Sequence, residues 1–401
     1  MTTRSLRFGL LAAALVVLAG VLSGCAGGQQ GVFLGSSWPG IATGEESIFV
    51  AFGPSVYAVD PESGTTRWRY PAEPQRGQTF YAEPAVADDL VVVGDYGGNL
   101  IALNPETGDP VWVFEANGTR FIAGAAIGDE VVYAGSTDGM LHALDRATGE
   151  RIWTFRAKQG IWARPLIIED TVYVASLDKH LYALDARTGQ LEWQFPANDA
   201  DLDEPMGAIV SAPTYYEGML IFGSFNNRVY ALDAETREIV WRYEAENWVW
   251  SSPVVEEESG VVVGADLDGN VFALDAATGA EELWTVELPG PVVGAPTIAE
   301  TESGSIAVYV ATADRRGQSR LYKLNLENGE NLAPPVDVEV EFPSRFLFIQ
   351  TGTSVRSMPI YTSPVIYDGM VLVGVHEGES LVFALDRETL LEVWSFEPAS
   401  S

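Results

Sequence analysis

The chain has 401 residues, 56 acidic against 23 basic, and a formal net charge of −33. A field of that sign repels phosphate backbones and argues against nucleic-acid binding. A single cysteine rules out any disulfide within the chain, while 47% hydrophobic residues with 40 Gly and 22 Pro suit many short strands joined by tight turns.

In chain order, residues 1–24 read as an export signal. Arg4 and Arg7 form a basic start, and Phe8 to Leu22 is an apolar run too short to span a bilayer but of the right length for a signal-peptide core. The run ends in Leu22-Ser23-Gly24-Cys25, which resembles a bacterial lipobox, so Cys25 is the expected lipidation site. Two or three acyl chains anchor stably where one is marginal. Residues 25–30, rich in Gly and Gln after the Cys, read as a flexible tether. No other apolar stretch reaches spanning length, so the lipid is the expected membrane attachment of an extracytoplasmic protein.

From residue 31 to the end, one phrase recurs eight times. Its clearest copy is Leu181-Tyr182-Ala183-Leu184-Asp185-Ala186-Arg187-Thr188-Gly189, followed by Trp193. The other copies are marked by Asp60/Trp68, Asn104/Trp112, Asp145/Trp153, Asp233/Trp241, Asp275/Trp284, Asn325 without a Trp, and Asp386/Trp394. Consecutive copies lie roughly 40 to 60 residues apart, the length of a four-stranded propeller blade. Eight copies predict eight blades and a single domain over 31–401.

The copy from Trp250 to Leu288 predicts strands at Ser251–Val255, Val261–Ala265, Val271–Asp275 and Leu283–Val286, with an Asp-Gly hairpin at Asp268-Gly269. In the third strand Phe272 and Leu274 share one face and Ala273 takes the other. The Asp accepts hydrogen bonds from its own turn, the Gly closes that turn at positive φ, and the Trp packs between blades. Arg237 and Leu390 replace the Gly in two copies, which predicts two turns of different construction. In the seventh copy Lys323 replaces the small Ala and Ala333 stands in the Trp position. An insertion from Asn331 to Pro359 follows, carrying a strand-like apolar stretch, Arg345 to Ile349.

Aligning the first strand of each copy gives one residue before each Pro or its equivalent: Trp38, Glu83, Gly124, Arg164, Ala212, Ser252, Ala295 and Ser363. On a channel mouth, Trp38, Glu83 and Arg164 are the distinctive groups for a small polar ligand, with Trp162 and Trp250 two positions further out. Asp199, Asp201, Asp203 and Glu204 alternate as in a calcium loop but lack its Gly and terminal Glu, so they read as a solvated acidic loop. His142, His180 and His376 are scattered, and no nucleophile elbow, phosphate loop or zinc motif is present.

The phrase [LV]-[YF]-A-L-D-x-x-T-G-x-x-x-W resembles the repeat of pyrroloquinoline-quinone (PQQ)-type β-propellers, in which Trp side chains dock one blade on the next. The resemblance implies an all-β, eight-bladed PQQ-like propeller that closes as a monomeric ring. Signal, lipid Cys and eight blades together resemble the BamB family of outer-membrane assembly lipoproteins. That likeness implies a non-catalytic scaffold with a protein partner in the cell envelope and no cofactor. Two other readings stay open. One is a sensor that binds a small ligand at its channel mouth. The other is a quinoprotein dehydrogenase using PQQ and calcium, whose family typically carries a vicinal disulfide that this chain cannot form.

Overall fold

The computed structural model describes residues 40–398, apart from 76, 81, 199–204, 280–281, 314–318, 347–348 and 376–379. Cys25 and its flanks, Trp38, the acidic run at Asp199, Asp201 and Asp203, and His376 lie outside the described residues.

Eight four-stranded antiparallel sheets follow one another along the chain, each built from four consecutive strands. The sixth blade shows why these sequences become strands. It consists of Val254–Glu256, Val261–Ala265, Asn270–Asp275 and Glu282–Glu287. Alternation along the third strand sends Val271 and Ala273 into a cluster shared with the seventh blade. Phe272 and Leu274 enter a cluster shared with the fifth. Both faces of an inner strand are therefore covered, and the middle strands read as nearly unbroken apolar runs.

The junctions repeat one device. Asp275 Oδ1 accepts from the Thr278 N–H and hydroxyl, both at 2.8 Å. The Gly279 N–H returns to the Asp275 carbonyl at 2.7 Å, with φ of +55°. Trp241 of the fifth blade lies against that turn and donates its Nε1–H to Ala276 O at 2.8 Å. A Cβ on Gly279 would stand 2.0 Å from the Trp241 ring, so the absent side chain is what admits the indole. Trp68, Trp112, Trp153 and Trp284 make the matching bond to the following blade, at 2.6–3.0 Å.

Arg237 and Leu390 correct the expectation of differently built turns. Both adopt the Gly conformation, at φ of +65° and +59°, and both keep the 2.8 Å return bond to their Asp carbonyl. Their side chains serve the junction. The Arg237 guanidinium lies 6.0 Å from the Trp193 ring centroid. Leu390 is buried, with the half-buried Ala333 packed against the same cluster. It thus fills space that a Trp occupies at other junctions.

The eighth blade meets the first with no strand exchanged among the described residues. Trp394 donates to Pro61 O at 2.8 Å, and the Tyr367 hydroxyl donates to Glu45 O at 3.0 Å. Val50 and Val59 of the first blade share a core with Leu372 and Phe396 of the eighth.

These turns predict acid sensitivity. The Thr148, Thr188 and Thr389 hydroxyls, then the backbone N–H groups of the same threonines, hold Asp145, Asp185 and Asp386 below the usual carboxylate range. For Asp233 the Thr236 N–H leads, and Asp60 is lowered to about 2, first by Arg67 and then by Ser63. A depressed folded pKa contributes stability above the unfolded value of about 3.9 and loses it as pH falls through the folded value. Relief of mutual repulsion in a chain of net charge −33 acts the other way. The turn bonds are local and numerous, so we expect the urea midpoint to fall between pH 4 and pH 2; a rise over that interval would show charge repulsion dominating.

The insertion in the seventh copy is a hairpin, Glu339–Phe346 paired with Ile349–Ser357, and these strands join no blade. Its register pairs Glu339 with Ser357 at the base and Phe346 with Ile349 at the far end. The stretch Arg345 to Ile349 is accordingly not one strand, as its composition suggested, but the two sides of the hairpin's closing end. Val338, Val340, Met358 and Ile360 root the base in the core between the seventh and eighth blades.

Candidate functional site: the connector face and channel mouth

The first strands of neighbouring blades approach one another, as those at Gly40–Thr43, Ala85–Ala87 and Ala126–Ile127 do, so these strands surround the central channel. Antiparallel order then puts each interblade connector and each hairpin between second and third strands on one face of the disc. The Asp-x-x-Thr-Gly turns lie on the other. The residues before the first-strand prolines sit at the connector end of the channel.

Of those residues, Glu83 and Arg164 are brought together. Arg164 Nη1 lies 3.9 Å from Glu83 Oε1, with the side chains 43% and 49% exposed, a solvated pair of small energetic weight. They belong to the second and fourth blades, and Arg164 reaches across the third, where its Nε–H donates to Ala125 O at 3.1 Å. Gly124 leaves room for that reach, since a Cβ there would stand 3.3 Å from Arg164 Nε and 3.1 Å from Glu83 O, closer than ordinary contact. Although half exposed to the channel, the Glu83 carboxyl is crowded by the protein around the mouth, which raises it above its usual range, and the Arg164 charge opposes this. Beside Arg164 the channel wall has a recess of about 280 Å³ lined by Val86, Ala126 and Ile167. Farther round, Ser252 Oγ accepts from the Ala212 N–H and Ser363 Oγ from the Ala295 N–H, each at 2.8 Å, so these two hydroxyls tie adjacent blades.

Trp162 and Trp250 have separate surroundings. Trp162 packs over Gly160, whose Cβ would meet its Nε1 at 2.8 Å, and its Nε1 is buried without a hydrogen-bond partner. Trp250 lies 5.3 Å from the Phe225 ring and packs against Val293, Ala313 and Tyr361. His142 is buried against Phe114 and Phe121, and burial lowers its pKa. His180 Nδ1 lies 2.9 Å from Asp178 O within its own hairpin. Among the described residues no group of three His, Cys, Asp or Glu is arranged to hold a metal, and no helix is long and apolar enough to cross a membrane.

Two features escaped the sequence. The first is a ring of backbone bonds on the connector face. The carbonyls of Thr79, Arg120, Gly160, Ala208, Trp248 and Pro291 each accept an N–H from a neighbouring hairpin at 2.8–3.1 Å. The next residue, Phe121 or Val249 for example, is fully buried. Backbone and core are thus fixed at these six connectors, while the side chain of the accepting residue varies freely. The second feature is what stands there. Trp248 stacks on Phe225 at 4.6 Å and 11°, and Arg120 lies 5.5 Å over the Tyr96 ring. Connector side chains have no periodicity to read, so only the spacing Trp248-Val249-Trp250 hinted at a cluster.

The arrangement defines a class: a Trp-docked eight-bladed propeller, with no strand exchanged between its ends among the described residues, whose connector face carries side chains that the repeat does not specify. A family model described as outer membrane protein assembly factor BamB matches residues 28–121, 115–212, 199–280 and 258–332. The chain belongs to that family of PQQ-type repeat propellers. The BamB structure from Moraxella catarrhalis is similar at 22% identity and a TM-score of 0.62, covering 85% of this chain and 92% of that one. The computationally designed protein Ika8 is similar at 15% identity and a TM-score of 0.66, covering 87% and 96%. A europium-containing methanol dehydrogenase is similar at 16% identity and a TM-score of 0.57, covering 68% and 73%. At these identities the structural likenesses carry the fold alone. Among curated proteins none matches this sequence.

Proposed function

We infer that this protein is a lipid-anchored, extracytoplasmic scaffold of the BamB type, monomeric and non-catalytic, that holds a protein partner during envelope or outer-membrane protein assembly. The observation that carries the reading is the family match across most of the propeller, joined to the lipobox at Cys25. A connector face whose side chains vary at one fixed backbone position suits protein recognition better than it suits a reaction chamber. Cys25 would carry the acyl chains, and the negative charge of the propeller leaves anchoring to those lipids.

The mouth residues fit PQQ poorly. Its three carboxylates call for several cations, whereas the described mouth offers one guanidinium, already turned toward Glu83. No vicinal cysteine pair exists to cover a quinone. We therefore derive no cofactor chemistry. The Glu83–Arg164 pair beside its recess favours a second reading, a small polar ligand at the mouth.

The test is in-cell crosslinking of the lipidated protein followed by mass identification of what purifies with it. Recovery of a β-barrel insertase is the expected result. Recovery of no reproducible partner overturns the scaffold. Arg164→Glu should leave partner recovery unchanged; if it abolishes recovery, the mouth belongs to the working surface.

A further inference from the structure

The accepting position of the connector ring separates fold from recognition. Its carbonyl is committed, its successor is buried, and its side chain is Thr, Arg, Gly, Ala, Trp and Pro in the six described cases. A scaffold that tolerates such variety at one structural position displays whatever its surface needs there. Between the fifth and sixth blades it displays Trp248, stacked on Phe225, with Trp250 5.3 Å from the same Phe. All three rings are half-buried, none withdrawn from solvent.

The surroundings of this platform are acidic. Glu246 is exposed and two residues before Trp248, while the exposed Glu244 balances Arg228. Asp268 accepts from Asn247 Nδ2–H at 2.8 Å beside Trp248. The nearby Arg228 is buried and already bound to Glu244 Oε1 at 2.7 Å. Aromatic faces within an acidic rim attract cations twice, through the ring quadrupole and through Coulomb attraction, and a cation that also presents apolar neighbours buries the rings.

We propose that Phe225, Trp248 and Trp250 form a docking platform for an extended polypeptide segment that carries Arg or Lys beside apolar residues. This rests on, and sharpens, the scaffold reading by giving the partner's contacting segment a chemistry. The platform selects the segment by charge, and the repeat keeps the backbone beneath it unchanged.

The test uses the full chain in detergent with two synthetic extended peptides, one alternating Arg and Leu, the other Glu and Leu, titrated by calorimetry. The Arg-Leu peptide binds, more weakly as salt rises, and the Glu-Leu peptide does not. Trp248→Arg, which installs the residue found at the equivalent position as Arg120, keeps the thermal midpoint and weakens Arg-Leu binding by about tenfold or more. Phe225→Ala weakens it in the same direction, and Val111→Ala, at an exposed position on the fourth strand of the second blade, leaves it unchanged. Equal binding of both peptides, or binding unchanged in Trp248→Arg, overturns the assignment even where crosslinking still recovers an envelope partner. Trp248-dependent binding of the Arg-Leu peptide with no crosslinked partner upholds the platform and removes the scaffold role.

Discussion

Replacing Trp394 by alanine is expected to destabilise the propeller by about 3–5 kcal/mol, the range for deleting a buried Trp side chain. Trp394 is 8% exposed and donates to Pro61 O at 2.8 Å across the seam where the eighth blade meets the first. The chain itself links the other seven junctions, but this one is held by side chains and the core they enclose. Trp112 is the control, since it is 7% exposed and makes the same bond at 2.8 Å to Arg146 O across a covalently linked junction. Urea unfolding of the two alanine variants should place Trp394→Ala below Trp112→Ala. Equal losses would mean that the seam draws no special strength from its Trp, and a loss under about 1 kcal/mol would contradict the docking role outright.

The second large effect is expected where the Trp is missing. Lys323 is 3% exposed, and its Nζ donates to Glu388 Oε2 at 2.7 Å and to Glu388 O at 3.2 Å in the turn of the eighth blade. The Tyr309 hydroxyl, at 2.9 Å, takes the Arg387 carbonyl, which corresponds to the one that a docking Trp takes elsewhere. Burial acts to raise the Glu388 carboxyl; the Lys323 bond and the Glu302 N–H outweigh it and leave the group below its usual range. Glu388→Ala strands a buried ammonium. Breaking a buried pair costs about 3–5 kcal/mol, and we expect about 2 here because Glu388 is partly exposed and its backbone carbonyl remains as an acceptor. Lys323→Met in the Glu388→Ala background should restore most of the loss, since it removes the stranded charge and keeps the volume. A double variant no more stable than Glu388→Ala would rule out the ammonium as the source. Because the folded pKa is depressed, the contribution of this pair is present above the unfolded Glu value of about 4.3 and fades as pH falls through the folded one.

Both effects involve residues already visible as deviations in the repeat. Lys323, Ala333 and Leu390 stand out in the sequence as three separate irregularities. In three dimensions they are one repair, with Leu390 packed where an indole would lie and Lys323 fastening the turn. The sequence misleads at Arg237 and Leu390 for a related reason. A missing Gly signals a changed turn only if the turn is set locally. Here the return bond to the Asp carbonyl and the packing of the preceding blade hold both residues at positive φ, so tertiary contacts override the local preference. The hairpin at 339–357 went the other way, because an apolar run gives no sign of where a chain reverses.

Repetition is why the rest could be read from sequence. A phrase of fixed spacing encodes local events, a strand, a capped turn and a docking Trp, and eight copies of local events determine an eight-bladed ring. The pairing of Glu83 with Arg164 across Gly124, the seam at Trp394, and the stack of Trp248 on Phe225 depend on groups far apart in the chain meeting in space. No periodicity records such meetings. The sequence by itself determined the blades and the turns that cap them; the tertiary structure alone decided which of the irregular side chains share a face, because that follows from ring closure.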